Sequence, residues 1–254
     1  MKAIDFGNSP KLKVVCEDGS KDVELYTAEG VALVNTIALK QAVYFRTMYS
    51  NSWAGVNVIQ FPNDLIELQH IMSEVRPTTV VECGIAKGGS LIYTASILEM
   101  LGLDDYNVIG IDIDIRPDTR ANIASSRYST RIKLFEASSL SEKAVEFVSR
   151  ELRVNDRTLV ILDSSHLAAH VSQEIALYAK FVSVGSYLIV MDGALGLVGD
   201  VPGRTNEDFK NNPLVAIDDF LAKNPDFIQT DKFDRMGLTS SPRGALRRVG
   251  PCGQ

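Results

Sequence analysis

The segment Asp163-Ser164-Ser165-His166 places an imidazole three residues past a carboxylate that ends an apolar run. Of the three histidines in the chain, His70, His166 and His170, only His166 stands in that position. An imidazole titrating near neutrality can take a proton from a hydroxyl as a group is transferred to the oxygen. The other reading of His166 is a structural, hydrogen-bonded ring. His70 falls in a helical stretch before the core and reads as a surface or packing residue, while His170, one turn beyond His166, reads as a cap or a solvent-facing residue. A second acid, Asp192, ends the next apolar run. Under the usual strand order Asp163 and Asp192 end neighbouring strands, where two carboxylates can hold a hard divalent cation such as magnesium with water and substrate oxygens completing the shell. Asp200, Glu207 and Asp208 follow in a loop and are set aside as ligands.

A second constellation lies upstream. Val80-Val81-Glu82-Cys83-Gly84-Ile85-Ala86-Lys87-Gly88-Gly89-Ser90 is an apolar run ending in an acid, then a glycine turn, then the start of a helix. Such a turn lets a ligand approach the backbone and offers it free N–H groups. Asp112 ends the next apolar run, where an acid is placed to hydrogen-bond ribose hydroxyls. The dinucleotide fingerprint Gly-x-Gly-x-x-Gly does not fit, since Glu82 and Lys87 fall where glycines are required. Ser138 and Ser139 follow the third run and read either as contacts to a base edge or as helix caps. Glu82, Asp112, Asp163 and Asp192 each read singly as a cap or turn residue, but four on one edge favour a polar site.

These residues need a parallel sheet to bring them together. Strand-like runs fall at Thr78–Glu82, Asn107–Asp112, Ile132–Phe135, Thr158–Asp163 and Tyr187–Asp192, with helical patterns at 89–101, 118–128, 141–153 and 168–183. Continuously apolar strands alternating with helices imply a sheet covered on both faces. A helix near 213–223 and strands near Phe227–Phe233 and Ala245–Val249 follow. Before the sheet, residues 1–30 read as an irregular arm or small hairpin, Val31–Tyr49 as one or two helices, and 51–62 as a loop carrying Trp53. Asp64 is expected to cap the next helix, which Pro77 ends. The segment Gly193–Asn212 reads as a lid or substrate loop, or as a disordered surface loop.

With 254 residues, 45% hydrophobic and 23% charged content, the chain suits one α/β domain. A net charge of −6 argues against nucleic acid or an anionic membrane as partner. Cys16, Cys83 and Cys252 have neither metal-binding nor disulfide spacing, and Cys83 reads as a small buried thiol. No signal pattern or membrane-length apolar run is present, so the expected location is cytoplasmic.

The glycine turn is similar to motif I of S-adenosylmethionine-dependent methyltransferases. Together with Trp53-Ala54-Gly55, Gln60-Phe61-Pro62-Asn63-Asp64, Gly110-Ile111-Asp112, Leu162-Asp163-Ser164-Ser165-His166, Val184-Gly185-Ser186-Tyr187-Leu188-Ile189-Val190 and Pro242-Arg243-Gly244-Ala245-Leu246, it resembles the cephalosporin hydroxylase family. That family includes sugar O-methyltransferases of macrolide and rhamnosyl natural products. The resemblance runs from about Phe45 to Val249. It implies a Rossmann-like class I methyltransferase fold: a mostly parallel seven-stranded sheet, helices on both faces and an N-terminal helical addition. The addition would span residues 1–62, as substrate cap or oligomer contact, and the cofactor-binding domain 63–254. The resemblance further implies that Glu82, Gly84, Gly88 and Ser90 line the methionine and ribose end of the S-adenosylmethionine site, with Asp112 on the ribose, Ser138 near the adenine and Asp163 also at the site. Asp163 and Asp192 would be magnesium ligands and His166 the general base for transfer to a hydroxyl of a sugar or polyketide.

One departure bears on the metal. The family has Glu-Asp where this chain has Met191-Asp192, and a thioether is a poor magnesium ligand. Magnesium binding should therefore be weakened or lost. Three consequences stay open: catalysis by His166 without metal, another oxygen ligand, or departure from metal-assisted chemistry. Two further readings also stay open, a non-methylating rearrangement or cyclisation on the same fold, and a non-catalytic cofactor-binding partner protein. The expected partners are a small-molecule substrate and further copies of the chain, with no nucleic acid and no membrane.

Overall fold

The strands pair in an order that gathers the acids at one edge. The structure, a computed structural model, describes residues 10–16 and 19–250. Cys252 and residues 1–9 of the expected arm lie outside them. An antiparallel hairpin, β1 (Lys11–Cys16) and β2 (Gly19–Glu24), leads into α1 (Ala28–Tyr44), whose cap is Thr27, its side chain accepting from the Gly30 N–H. A 3-10 turn and a two-residue hairpin, β3 (Ser52–Trp53) and β4 (Val56–Asn57), precede α2 (Pro62–Val75).

The alternating body follows: β5 (Thr79–Cys83), α3 (Gly89–Met100), β6 (Asn107–Asp112), α4 (Pro117–Ser125), β7 (Ile132–Glu136) and α5 (Glu142–Glu151). Then come β8 (Thr158–Leu162), α6 (Ala168–Tyr178), β9 (Tyr187–Val190), α7 (Pro213–Leu221), β10 (Phe227–Gln229) and β11 (Ala245–Arg248). The sheet order is β10-β11-β9-β8-β5-β6-β7, parallel except that β11 runs antiparallel to both neighbours. It is the expected mostly parallel, seven-stranded sheet with helices on both faces.

From β5 the chain winds outward through β6 and β7, then returns to build β8 and β9 on the other side of β5. The carboxyl ends of β5 and β8 are therefore where the winding direction reverses, and open sheets bind ligands in that crevice. The pairings Cys83↔Ile111 and Cys83↔Leu162 align the ends of three strands. Alternation along β5 serves two cores: Val80 joins Leu68, Ile71 and Leu91 on the α2/α3 face, whereas Val81 and Cys83 join Val148, Ile175 and Ile217 on the α5–α7 face. Fully burying such side chains contributes about 1.5–3 kcal/mol each. Cys83 is a buried free thiol, as expected.

Two local expectations are corrected. Asp64 does not cap α2: Phe61 holds the cap position and Pro62 opens the helix, a place where its missing N–H costs nothing. Asp64 instead lies wholly buried in the first turn and accepts from the Thr239 hydroxyl and from the Ser240 N–H and hydroxyl. Nor is 193–212 a structureless surface loop. It contains 3-10 turns at Gly193–Leu197 and Asn206–Phe209, and its Ala194, Val198 and Val201 pack with Leu39 and Ala42 of α1 and with Phe61. An ion pair, Lys40 Nζ to Asp200 Oδ2 at 2.6 Å, joins it to α1 again.

Candidate functional site

Two cavities open on the carboxyl edge and share a wall made by Gly84, Ala86, Asp163 and Ser164. The larger, about 680 Å³, lies between α1, the segment around Asn57–Gln60, the glycine turn and residues 194–204. The smaller, about 350 Å³, is bounded by Asp112, Ser138, Ser139, Ser165 and His170.

The wall exists because Gly84 permits it. Its φ is +85°, and a Cβ there would stand 2.2 Å from the Asp163 carbonyl oxygen, so any side chain would force β5 and β8 apart. Its N–H donates to the Ile111 carbonyl at 2.8 Å, and the Asp163 N–H to the Cys83 carbonyl at 2.7 Å. Gly89 is equally constrained, since a Cβ would meet the Asn57 carbonyl at 2.2 Å. Asp112 holds the turn by accepting from the N–H groups of Ile85 at 2.9 Å and Ala86 at 3.3 Å.

Glu82 is buried beneath this turn. Its Oε1 accepts from the Ser90 hydroxyl, while Oε2 is buried without a hydrogen-bond partner. Burial, offset in part by the Ser90 hydrogen bond and reinforced by the Asp112 charge, pushes its carboxyl up to about 7. An orphaned carboxylate oxygen costs free energy until a donor or cation reaches it, so Glu82 with Ser90 forms a cradle that could hold a cationic ligand group; Gly84 and Ser90 line the larger cavity, whereas Glu82 lies beneath them and Gly88 lines neither cavity.

At the floor of the larger cavity, His166 Nε2 stands 3.1 Å from Asp192 Oδ2. One carboxylate oxygen each from Asp163 and Asp192 and one ring nitrogen of His166 lie within 4.8 Å of one another, an arrangement that could hold a divalent cation. Burial, with repulsion from Asp192 and Glu82, raises the Asp163 carboxyl well above the usual range. Asp192 reaches this position through a left-handed backbone, φ +59°, and its N–H donates to the Ser241 hydroxyl at 3.2 Å. A non-glycine residue in that region is held by its surroundings. Here the holding segment is Thr239–Ser241, which Asp64 anchors. Burial is the largest cause of the rise of the Asp64 carboxyl to about 6.

Met191 does not stand in the cation site. Its side chain is 1% exposed and belongs to the core with Tyr187 and Ile189, on the α2/α3 face. The group that joins the two carboxylates is His166.

Three residues acquire places that their sequence context did not suggest. His170 lines the smaller cavity instead of capping or facing solvent, with Nε2 3.1 Å from the Ser164 hydroxyl and 3.4 Å from that of Ser139. Ser164 in turn donates to buried Glu174 Oε1 at 2.6 Å, which leaves its oxygen to accept from His170. Gln60, 3% exposed, points its amide at Asp163 Oδ2 at 3.5 Å and leaves Oε1 buried without a partner. Asp64 is the third, as the anchor described above. His70 is the surface residue expected, its side chain 45% exposed beside Glu67. Ser138 lies in the smaller cavity. Among the described residues no helix is long and apolar enough to cross a membrane.

The rhamnosyl O-methyltransferase/CmcI family model matches residues 45–249. Rhamnosyl O-methyltransferase of Mycobacterium tuberculosis is 29% identical over 215 residues, covering 81% of this chain and 83% of that protein. The solved apo form of CmcI superposes with a TM-score of 0.54 at 22% identity, covering 80% of this chain and 77% of that one. CmcI solved with Mg and S-adenosylmethionine gives 0.54 at 20% identity, covering 80% and 78%. At such identities the structures speak for the fold, which is the Rossmann-like class I methyltransferase fold. The family match over residues 45–249 makes the chain an S-adenosylmethionine-dependent O-methyltransferase and a member of the rhamnosyl O-methyltransferase/CmcI family.

Proposed function

We propose that the chain methylates a hydroxyl of a small natural product, a sugar or polyketide, with His166 as general base. The observation that carries this reading is the convergence of Asp163, His166 and Asp192 where the two cavities meet. S-adenosylmethionine fits the chain's own residues: the unpaired Glu82 oxygen suits its cationic end, and Gly84 borders both cavities, so a ligand spanning them meets its backbone. When bound, it supplies a sulfonium methyl as electrophile, so the protein's task is orientation and deprotonation. Glu82, Gly84, Gly88 and Ser90 hold the methionine and ribose end, Asp112 the ribose hydroxyls, and Ser138 the adenine edge.

His166 then takes the acceptor's proton. The Asp192 carboxylate lies 3.1 Å from the His166 Nε2, close enough to favour the ring once it is charged. Asp192 fixes the ring and stabilises the imidazolium that forms. Asp163 and Asp192 would hold a magnesium ion, whose chemistry is to acidify and orient a bound hydroxyl. Residues 1–62 act as the substrate cap, since α1 walls the larger cavity. The exposed Val31, Val34, Ile37, Tyr44 and Phe45 of the same region support self-association through it.

The test is calorimetric titration of S-adenosylmethionine into the protein with EDTA and with magnesium, followed by turnover assays on hydroxylated glycosides and polyketides. Micromolar cofactor binding and release of S-adenosylhomocysteine are expected. Absence of binding in both titrations sinks the reading.

A further inference from the structure

The charged residues around the larger cavity are sharply divided. Among the described residues its carboxylates are Asp163 and Asp192, while its remaining charged residues are all cations: Arg46, Lys87 and Arg204. Lys87 is neutralised by Asp118 at 2.5 Å. The guanidinium groups of Arg46 and Arg204 meet no carboxylate among the described residues, in a chain whose acids outnumber its bases 32 to 26.

The two arginines come from two different segments that line the cavity. Arg46 follows α1 with a left-handed backbone, φ +53°, and Arg204 follows the segment that packs across α1 through Val198 and Val201. The same lining carries the apolar side chains of Leu39, Val43, Met48, Leu195 and Val198. A cavity with an acidic, proton-accepting floor, apolar side chains and two guanidinium groups that meet no carboxylate among the described residues is complementary to a molecule with three parts: a hydroxyl, an apolar body and an anion. Guanidinium groups bind carboxylate and phosphate through paired N–H donors, which is where an anion gains most over a neutral group.

We infer that the acceptor is an acidic natural product, carrying a carboxylate or phosphate that Arg46 and Arg204 engage while its hydroxyl reaches His166. The inference rests on the proposed function only in taking the larger cavity as the acceptor site.

Three probes with one aromatic body separate the terms: 1-naphthoate, 1-naphthyl phosphate and neutral 1-naphthol. Each is titrated calorimetrically into the full chain, with and without saturating S-adenosylhomocysteine. Both anions, or whichever one matches the native group, are expected to bind on the order of tenfold tighter than naphthol, as charge-assisted contacts allow. The tighter of the two anions identifies the source of the charge. The preference should shrink with added salt, because both arginines are exposed. In R46Q/R204Q it should fall to about twofold or less, with affinity for S-adenosylhomocysteine unchanged; should the double variant not fold, R46Q and R204Q singly carry the same test. Equal binding of naphthol and the anions, an anion preference that survives both substitutions, or no anion binding at millimolar concentration overturns the inference. Failure of S-adenosylhomocysteine to bind would instead strike the proposed function, and the cofactor-free titrations would still decide the anion question.

Discussion

His166 and Asp192 meet across two strand ends, Nε2 to Oδ2 at 3.1 Å, although 24 residues of helix and loop lie between β8's last residue and the start of β9. The contact depends on the left-handed backbone at Asp192, which turns its carboxylate towards the ring. His166→Ala removes the proton acceptor and leaves the cradle around Glu82 untouched. Turnover should fall by roughly 10²–10⁴, the range for a general base, with cofactor affinity within about twofold of the parent. Asp192→Asn keeps the shape but loses the charge that steadies the imidazolium, and should act in the same direction. Single-turnover kinetics beside a cofactor titration separates the two effects, and undiminished turnover in H166A removes His166 from the mechanism.

Gln60 offers a way to add the carboxylate that the metal site lacks. Its amide faces Asp163 and its other oxygen is unpaired. Gln60→Glu places a third acid beside Asp163, whose carboxyl burial and like charges already hold high. Without metal the variant should melt at a lower temperature at pH 8 than the parent. With metal, affinity should rise on the order of tenfold, because affinity for hard cations follows the number of charged oxygen ligands. Melting curves and magnesium titrations of both proteins are the measurement; unchanged metal affinity would show that Gln60 lies outside the cation's reach.

Met191→Glu looks like the same repair when read from sequence and should do the opposite. Met191 points into the core, 1% exposed, with its sulfur 3.5 Å from the Ser241 hydroxyl. A carboxylate there is buried among apolar side chains, and the effective cost of such burial is several kcal/mol. The expected result is a large fall in melting temperature with no gain in magnesium affinity. Restored metal binding in M191E would mean that β9 can turn its end residues over.

Much of the arrangement was legible because it depends on strand ends. Apolar runs of five or six residues fix the strands, and an acid at the end of each must lie on the ligand edge of a parallel sheet; thus Glu82, Asp112, Asp163 and Asp192, each ambiguous alone, were readable as a set. The direction of the Met191 side chain was not legible, for a related reason. Neighbouring residues of a strand face opposite sides, and only the left-handed turn at Asp192, which no residue type signals, decides which of the two reaches the site. Gln60 lies 103 residues from Asp163 and comes from a loop with no periodicity, so spacing carried no sign of the contact. A position one turn beyond His166 suggests a cap or a solvent-facing residue for His170, whereas buried Glu174 and Ser164 draw it into the smaller cavity.

Glu82 makes cofactor binding dependent on pH, and the sign follows from its environment. Burial lifts the folded carboxyl from an ordinary value of 4.5 to about 7. A raised carboxyl favours the fold while it is protonated, so its contribution to stability is complete below about 4.5 and is lost as pH rises through about 7. The cation of the ligand needs the ionised form. Binding below pH 7 must therefore expel the proton, and for a single group at 7 affinity should drop about tenfold from pH 8 to pH 6. Calorimetry in two buffers of different ionisation enthalpy counts the proton directly: close to one released at pH 6 and few at pH 8. Glu82→Gln cannot ionise, so its weaker binding should lose this component of the pH dependence while any contribution from Asp163 remains. A proton count that is the same in E82Q and in the parent would assign the linkage to Asp163 and leave Glu82 ionised in the free protein.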